Sequence, residues 1–127
     1  MKPHILIVED IPTLAESYAA YLRREDADVA IVETGAAALA SLERKPANVV
    51  VLDVNLPDMS GLDVLQRIRA AGMPCEAIVV TAEGSVNRAV EAMRLGADDY
   101  LNRPVLADEL VARVGRALEA RKEKRAA

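Results

Sequence analysis

The sequence predicts an α/β fold built around a doubly wound sheet of five parallel strands in the order 2-1-3-4-5. Five short apolar runs alternate with five segments of helical periodicity, and the runs show no polar alternation. Such runs are typical of strands that are buried on both faces by covering helices. The length of 127 residues favours one domain over 1–127, with 4–119 as its core and 120–127 as a basic helix end or linker.

The strands and the first two helices follow from these apolar patterns. The strands are predicted at His4–Val8, 29–32, 48–52, 77–80 and 99–101. The first helix accepts Pro12 in its first turn and spaces its apolar residues by four, three and one. These apolar residues are Leu14, Tyr18, Tyr21 and Leu22. The second helix, Gly35–Arg44, is alanine-rich, follows Thr34 as its N-cap and stops before Pro46.

The last three helices are predicted from capping residues and from apolar stripes that we expect to face the core. Residues 61–71 form the third helix, in which Ser60 and Asp63 are spaced like a capping box and a glycine acts as the stop. Residues 85–95 form the fourth helix, and the fifth follows Pro104. The stripes are Val86, Ala89, Val90 and Met93 on the fourth helix and Leu106, Leu110, Val111, Val114 and Leu118 on the fifth.

Composition narrows the class of protein. The net charge of −4 and the absence of Trp and Phe argue against direct nucleic-acid binding. No apolar stretch reaches the roughly 18 residues of a membrane span, and the first residues show no signal-peptide pattern. The single Cys75 excludes an internal disulfide, so we expect a cytoplasmic protein. The basic cluster at 121–125 is interpreted as the solvated last turn of a helix.

Acidic residues stand where two of the predicted strands stop. Glu9 and Asp10 follow the first strand, and Asp53 follows the third. In the predicted strand order these two strands are neighbours, and ligands of such sheets bind beyond the carboxyl ends of the strands. Three carboxylates in one crevice repel one another, which a hard divalent cation relieves. The sequence therefore predicts a divalent-metal site.

Further motifs, taken together with the acidic residues, resemble the pattern of a known family. Thr81-Ala82 follows the fourth strand, and Tyr-Leu-Asn-Arg-Pro occupies 100–104. With the acidic pair at 9–10 and the segment Val-Val-Val-Leu-Asp-Val-Asn-Leu-Pro-Asp-Met-Ser-Gly at 49–61, the chain resembles the response-regulator receiver domains of two-component signalling. That resemblance implies a CheY-like (βα)5 fold. The segment 81–97 resembles the receivers of NtrC- and LuxO-type transcriptional regulators.

The resemblance implies roles for the acidic residues. Asp53 is implied to be the phosphoacceptor, a carboxylate nucleophile that forms an acyl phosphate. Mg²⁺, or Mn²⁺ in its place, is implied to be held by Asp10, Asp53 and the backbone carbonyl of Asn55, with Glu9 acting through metal-bound water. Asp10 has a second interpretation as the cap of the first helix.

The resemblance also implies phosphoryl-contacting and switch residues. The Thr81 hydroxyl is implied to donate to a phosphoryl oxygen beside the small Ala82, and Tyr100 is implied to turn inward with it. Ordinary strand packing is the alternative for Tyr100. Arg103 departs from the family, whose members normally carry Lys before a cis proline, here Pro104. Arg keeps the charge but changes the donor geometry. We therefore expect phosphorylation of Asp53 to survive while its coupling to the surface around the fourth helix and fifth strand is weakened or biased.

The implied partners are a sensor histidine kinase or histidine phosphotransfer protein, and an output domain or partner protein bound through helix 4, strand 5 and helix 5. A homodimer on phosphorylation is a further expectation. The chain is not expected to be an enzyme beyond its own phosphorylation and dephosphorylation. Three alternatives stay open at this point: a phosphorylation-independent interaction domain, a small aspartate-nucleophile phosphohydrolase, and a flavodoxin-like electron carrier. Arg103 favours the first, whereas Asn55 and the acidic residues after the first strand disfavour the other two.

Overall fold

The five strands form one parallel sheet. The computed structural model describes residues 2–82 and 86–126. The strand order is β2-β1-β3-β4-β5, as predicted. The strands are β1 (His4–Val8), β2 (Asp28–Val32), β3 (Val49–Asp53), β4 (Glu76–Thr81) and β5 (Asp99–Asn102). Each predicted strand is therefore present, with its ends within one residue of the prediction.

Five helices cover the two faces of the sheet. They are α1 (Pro12–Arg23), α2 (Gly35–Arg44), α3 (Gly61–Ala70), α4 (Val86–Arg94) and α5 (Ala107–Ala126). Alternate residues of each central strand face opposite sides, so Ile5 and Ile7 pack against α1 and α5 while Leu6 and Val8 pack against α2 and α3. The sheet is thus buried between two helical layers, as its unbroken apolar runs indicate.

The helix ends depend on local chemistry. The Thr34 hydroxyl caps α2 by accepting from the Ala37 amide at 3.0 Å, as predicted. The Ser60 hydroxyl caps α3 by accepting from the amide of Leu62 at 3.1 Å. A capping box would use the amide of Asp63, so that detail of the prediction is wrong. Helix α1 has Ile11 as its N-cap, which excludes the capping interpretation of Asp10.

Most of the apolar stripe of α4 is not core. Val86, Val90 and Met93 are 75%, 44% and 47% exposed, so the prediction is wrong for these three residues. It is right for Ala89, which the helix buries together with Ala92. Helix α4 contacts β5, which is the edge strand of the sheet, so part of its stripe extends beyond the sheet surface. The predicted first residue of this helix, Ser85, lies outside the described residues.

The stripe of α5 is core with one exception. Leu110 and Val114 are buried, and Val111 and Leu118 pack partly buried against them. Leu106 is 64% exposed because it precedes the first helical residue and is not held against the sheet. The prediction for Leu106 is therefore wrong.

The end of α5 is attached to the sheet. The Lys124 ammonium lies 2.7 Å from a carboxylate oxygen of Glu76, the first residue of β4, and 3.7 Å from one of Asp98. Glu76 is buried, so its charge is balanced by a residue that we expected to be solvated. Lys124 is itself exposed, as predicted for the final turn, and its ion pair with Glu76 is a contact that the prediction did not include. Among the helices of the described ranges, none has the length and apolar character to cross a membrane.

Candidate functional site

The acidic residues converge at the carboxyl edge of the sheet. Strands β1 and β3 are neighbours, and the register pairs Val8 with Leu52, so the residues that follow them meet. One carboxylate oxygen from each of Glu9, Asp10 and Asp53 lies within 4.8 Å of the others. Glu9 and Asp53 are only 2% and 1% exposed, and Asp10 is half-buried. These residues form the acidic site.

Arg103 provides the positive charge of the acidic site. Its Nη2 atom donates to Oδ2 of Asp53 at 2.7 Å and also to Oε1 of Glu9. One guanidinium nitrogen therefore bridges two buried carboxylates. Burial opposes the charge of Arg103, but the two carboxylates outweigh that effect and raise its pKa.

Backbone amides hold the other oxygens of the same carboxylates. The Asn55 amide donates to Oδ1 of Asp53 at 3.1 Å, and the Ile11 amide donates to Oε2 of Glu9 at 3.2 Å. Burial raises the pKa of Glu9 from 4.5 to about 7, and the negative charge of Asp53 adds to the rise. The Ile11 amide and the charge of Arg103 act in the opposite direction without cancelling it.

Tyr18 is a site neighbour that the sequence analysis placed only in the core. Its hydroxyl is buried without a hydrogen-bond partner, and so is the Nε of Arg103. Burial raises the pKa of Tyr18, and the positive charge of Arg103 opposes that rise. The Tyr18 hydroxyl and the Arg103 guanidinium are therefore close enough to interact electrostatically. Helical periodicity identifies Tyr18 as inward-facing but does not show that its hydroxyl ends beside the acidic site.

The loop after β3 is fixed by its own backbone and by Asp58. The Gly61 amide donates to the carbonyl of Val54 at 2.7 Å, and Asn55 pairs with Ser60. Asp58 accepts from the first two amides of α2 at 2.8 and 2.9 Å, and these bonds lower its pKa. The role of Asp58 was not predicted, because its partners at 35 and 36 are distant in the chain.

The predicted switch residues lie on β4 and β5. Thr81 ends β4, one residue beyond Val80, which pairs with Asp53, and it is buried. Ala82 is exposed, as is the side chain of Asn55. Tyr100 is 36% exposed and lies on an apolar groove of about 480 Å³. The groove is lined by Val86, Ala89, Val90, Met93, Arg94 and Tyr100.

The structure thus brings together Glu9, Asp10, Asp53 and Arg103, while Tyr100 faces the groove on β5 and α4. The peptide bond between Arg103 and Pro104 is cis, which matches the expectation. Three converging carboxylates are the hard oxygen donors that Mg²⁺ and Mn²⁺ prefer, so the donor set fits such an ion.

Comparisons with known proteins identify the family. Residues 5–115 match the family model described as the response regulator receiver domain. The transcriptional regulatory protein CutR of Streptomyces coelicolor is 46% identical over 117 residues, which cover 92% of this chain and 54% of CutR. The regulatory protein LuxO of Vibrio cholerae is 41% identical over 112 residues, which cover 88% of this chain and 25% of LuxO. The chain therefore spans about half of one relative and a quarter of the other.

Solved structures agree with these relatives. The signal receiver domain of a Vibrio parahaemolyticus protein named as a LuxO repressor superposes with a TM-score of 0.94 at 40% identity. That match covers 98% of this chain and 95% of the other. A CheY-like response regulator receiver domain protein of Methanospirillum hungatei superposes with a TM-score of 0.92 at 28% identity, covering 98% and 99%. With the strand order and the acidic site already described, these matches show that the chain belongs to the response-regulator receiver domains of two-component signalling.

Proposed function

We propose that Asp53 accepts a phosphoryl group from a phosphohistidine of a sensor histidine kinase or a histidine phosphotransfer protein. A carboxylate oxygen of Asp53 forms the new bond to phosphorus, and the bond from phosphorus to the donor imidazole nitrogen breaks. The imidazole nitrogen keeps the electron pair. The single observation that carries this proposal is the buried Asp53 carboxylate, which lies among two further carboxylates and one guanidinium at the carboxyl edge of the sheet.

The residues around Asp53 would have different roles in phosphoryl transfer. Asp10, Asp53 and the Asn55 carbonyl would hold Mg²⁺ or Mn²⁺, with Glu9 acting through water, and the ion would neutralise charge on the phosphoryl oxygens. In the structure without the ion, Arg103 balances part of the negative charge of the acidic site from the protein itself. The amide of Asn55 holds one Asp53 oxygen and so restricts the orientation of the nucleophile. Thr81, at the end of the adjacent strand, would donate its hydroxyl to the bound phosphoryl group.

The surface of α4, β5 and α5 would carry the output of the switch. Val90, Met93 and Tyr100 are exposed there around one apolar groove, and such a patch suits contact with an output domain or a second copy. Phosphorylation would change the affinity of this surface only if the phosphate binds its two conformations differently. Since the relatives CutR and LuxO are named as regulators, control of transcription is the output that we propose.

Two other functions are less well supported. In an aspartate-nucleophile phosphohydrolase, an acid two residues after the nucleophile would serve as general acid and base, and here that residue is Asn55, whose side chain is neutral and exposed. We therefore propose that the chain acts on its own acyl phosphate and is not an enzyme for other substrates. A phosphorylation-independent interaction domain is favoured only by Arg103, while the acidic site and Thr81 argue against it.

Intact mass after incubation with Mg²⁺ and acetyl phosphate tests the proposal. We expect the mass of one phosphoryl group on the parent and none on Asp53→Asn. The variant Arg103→Lys, measured under the same conditions, shows how arginine in place of the family's lysine affects formation of the adduct. An adduct that persists in Asp53→Asn would contradict the role of Asp53, and no adduct in either the parent or Arg103→Lys would contradict the proposed function.

A further inference from the structure

Arg103 reaches further into the acidic site than a lysine at the same position could. Its Nη2 atom donates to both Asp53 and Glu9, whose carboxylates are almost fully buried. An arginine Nη lies one covalent bond further from its Cα than a lysine Nζ does. The extra length places the charge between the two carboxylates, where it satisfies an oxygen of each.

That nitrogen contacts the same carboxylates that would hold a cation. Glu9 and Asp53 are two of the three residues whose carboxylate oxygens lie within 4.8 Å of one another. A guanidinium and a divalent ion in the same small cluster repel each other, and each needs the same oxygen lone pairs. Both cannot occupy the cluster with full sets of contacts.

A space for the displaced side chain lies next to it. Arg103 lines a cavity of about 390 Å³ between α1 and the segment that follows β5. Tyr18 lines the same cavity, and its hydroxyl is buried beside it without a hydrogen-bond partner. Its oxygen is an acceptor that a rotated guanidinium could use, which would also satisfy a polar atom that is now orphaned.

We infer that Arg103 is a built-in competitor of the divalent cation, occupying the space between Glu9 and Asp53 until the cation binds and then moving toward Tyr18. This inference rests on the proposed function insofar as the acidic site is taken to hold the ion. It makes Arg103 a positioning residue that sets how much Mg²⁺ the domain requires. The domain would remain free of metal at cation concentrations that load a receiver with lysine at this position.

Manganese titrations followed by electron paramagnetic resonance test the competition, because free and bound Mn²⁺ are distinguished directly. The samples are the unphosphorylated parent, Arg103→Lys, and Arg116→Lys as a matched control on the exposed side of α5. We expect Arg103→Lys to bind Mn²⁺ at least about tenfold more tightly than the parent, and the control to equal the parent. Equal or weaker binding by Arg103→Lys would overturn the inference.

A second measurement uses the parent alone and does not depend on the folding of a variant. The Nε–H signal of the Arg103 guanidinium is followed by nitrogen-15 NMR as Mg²⁺ is added to saturation. We expect this signal to shift as the cation binds, and a signal that stays unchanged at saturation would overturn the inference. Failure of the proposed function would appear separately, as the absence of the acetyl phosphate adduct at saturating Mg²⁺.

Discussion

Replacing Gly61 by alanine should destabilise the domain at the acidic site. A Cβ atom at this position would lie 2.1 Å from the carbonyl oxygen of Asp53 and 2.9 Å from the Cα of Val54. Both are backbone atoms, so no side-chain rotation can relieve the contact. Since real Cβ contacts essentially never fall below 3.0 Å, the main chain at Asp53 must move by nearly 1 Å. Overpacking against a rigid backbone predicts a loss of about 3 kcal/mol in the free energy of unfolding.

Urea unfolding followed by circular dichroism measures this loss, with two other glycines as controls. A Cβ at Gly35 would meet the flexible side chain of Met59 at 2.5 Å and the buried Val64 side chain at 2.8 Å, but no backbone atom, so Gly35→Ala should lose about 1 to 2 kcal/mol, less than Gly61→Ala. A Cβ at Gly115, within α5, would meet nothing within 4 Å, so Gly115→Ala should gain about 0.5 to 1 kcal/mol. If Gly61→Ala is as stable as the parent, the reasoning about this close approach is refuted.

Three further predictions concern buried ionisable groups. In metal-free buffer, the stability advantage of Glu9→Gln over the parent should grow by up to about 3 kcal/mol between pH 4.5 and about 8. The folded parent keeps a proton on Glu9 up to about pH 7, whereas the unfolded chain releases it near 4.5, so the parent loses stability between these pH values. A difference in stability between parent and variant that does not change with pH would contradict the raised pKa of Glu9. Lys124→Met should lower the free energy of unfolding by about 2 kcal/mol because Glu76 stays buried without its cation, and adding Glu76→Gln should recover part of the loss. Denaturant titration decides this, and a stable single variant would contradict the pairing. Burial raises the pKa of the Cys75 thiol, so labelling by a disulfide reagent should be much slower in the folded protein than in urea; equal rates would show that the thiol is accessible.

The fold could be predicted almost completely because its signals are local. Unbroken apolar runs predict strands buried on both faces, and Thr34 marks the start of α2 through its own hydroxyl. The errors arose where the outcome depends on neighbours distant in the chain. Periodicity places Met93 on an apolar stripe, but only the position of α4 at the sheet edge decides that the stripe is exposed.

The acidic site was predicted in its charges but not in its contacts. The ends of two apolar runs were enough to bring Glu9, Asp10 and Asp53 together, since strand order fixes which ends meet. The sequence identified Arg103 as the departure from the family. It could not show that one nitrogen bridges two carboxylates or that the Tyr18 hydroxyl ends nearby, because both depend on side-chain rotamers set by packing.

The attachment of Lys124 to Glu76 has a mechanical consequence for α5. The helix has 20 residues and is therefore about 30 Å long, with its first turn near Arg103 and its last turns held at the opposite edge of the sheet. Leu110 and Val114 also hold the middle of this rod against the sheet, so a push on its first turn would displace Ala107 most and Lys124 least. Gly115, the residue with the least intrinsic preference for this conformation, is where such a rod would bend before it tilts.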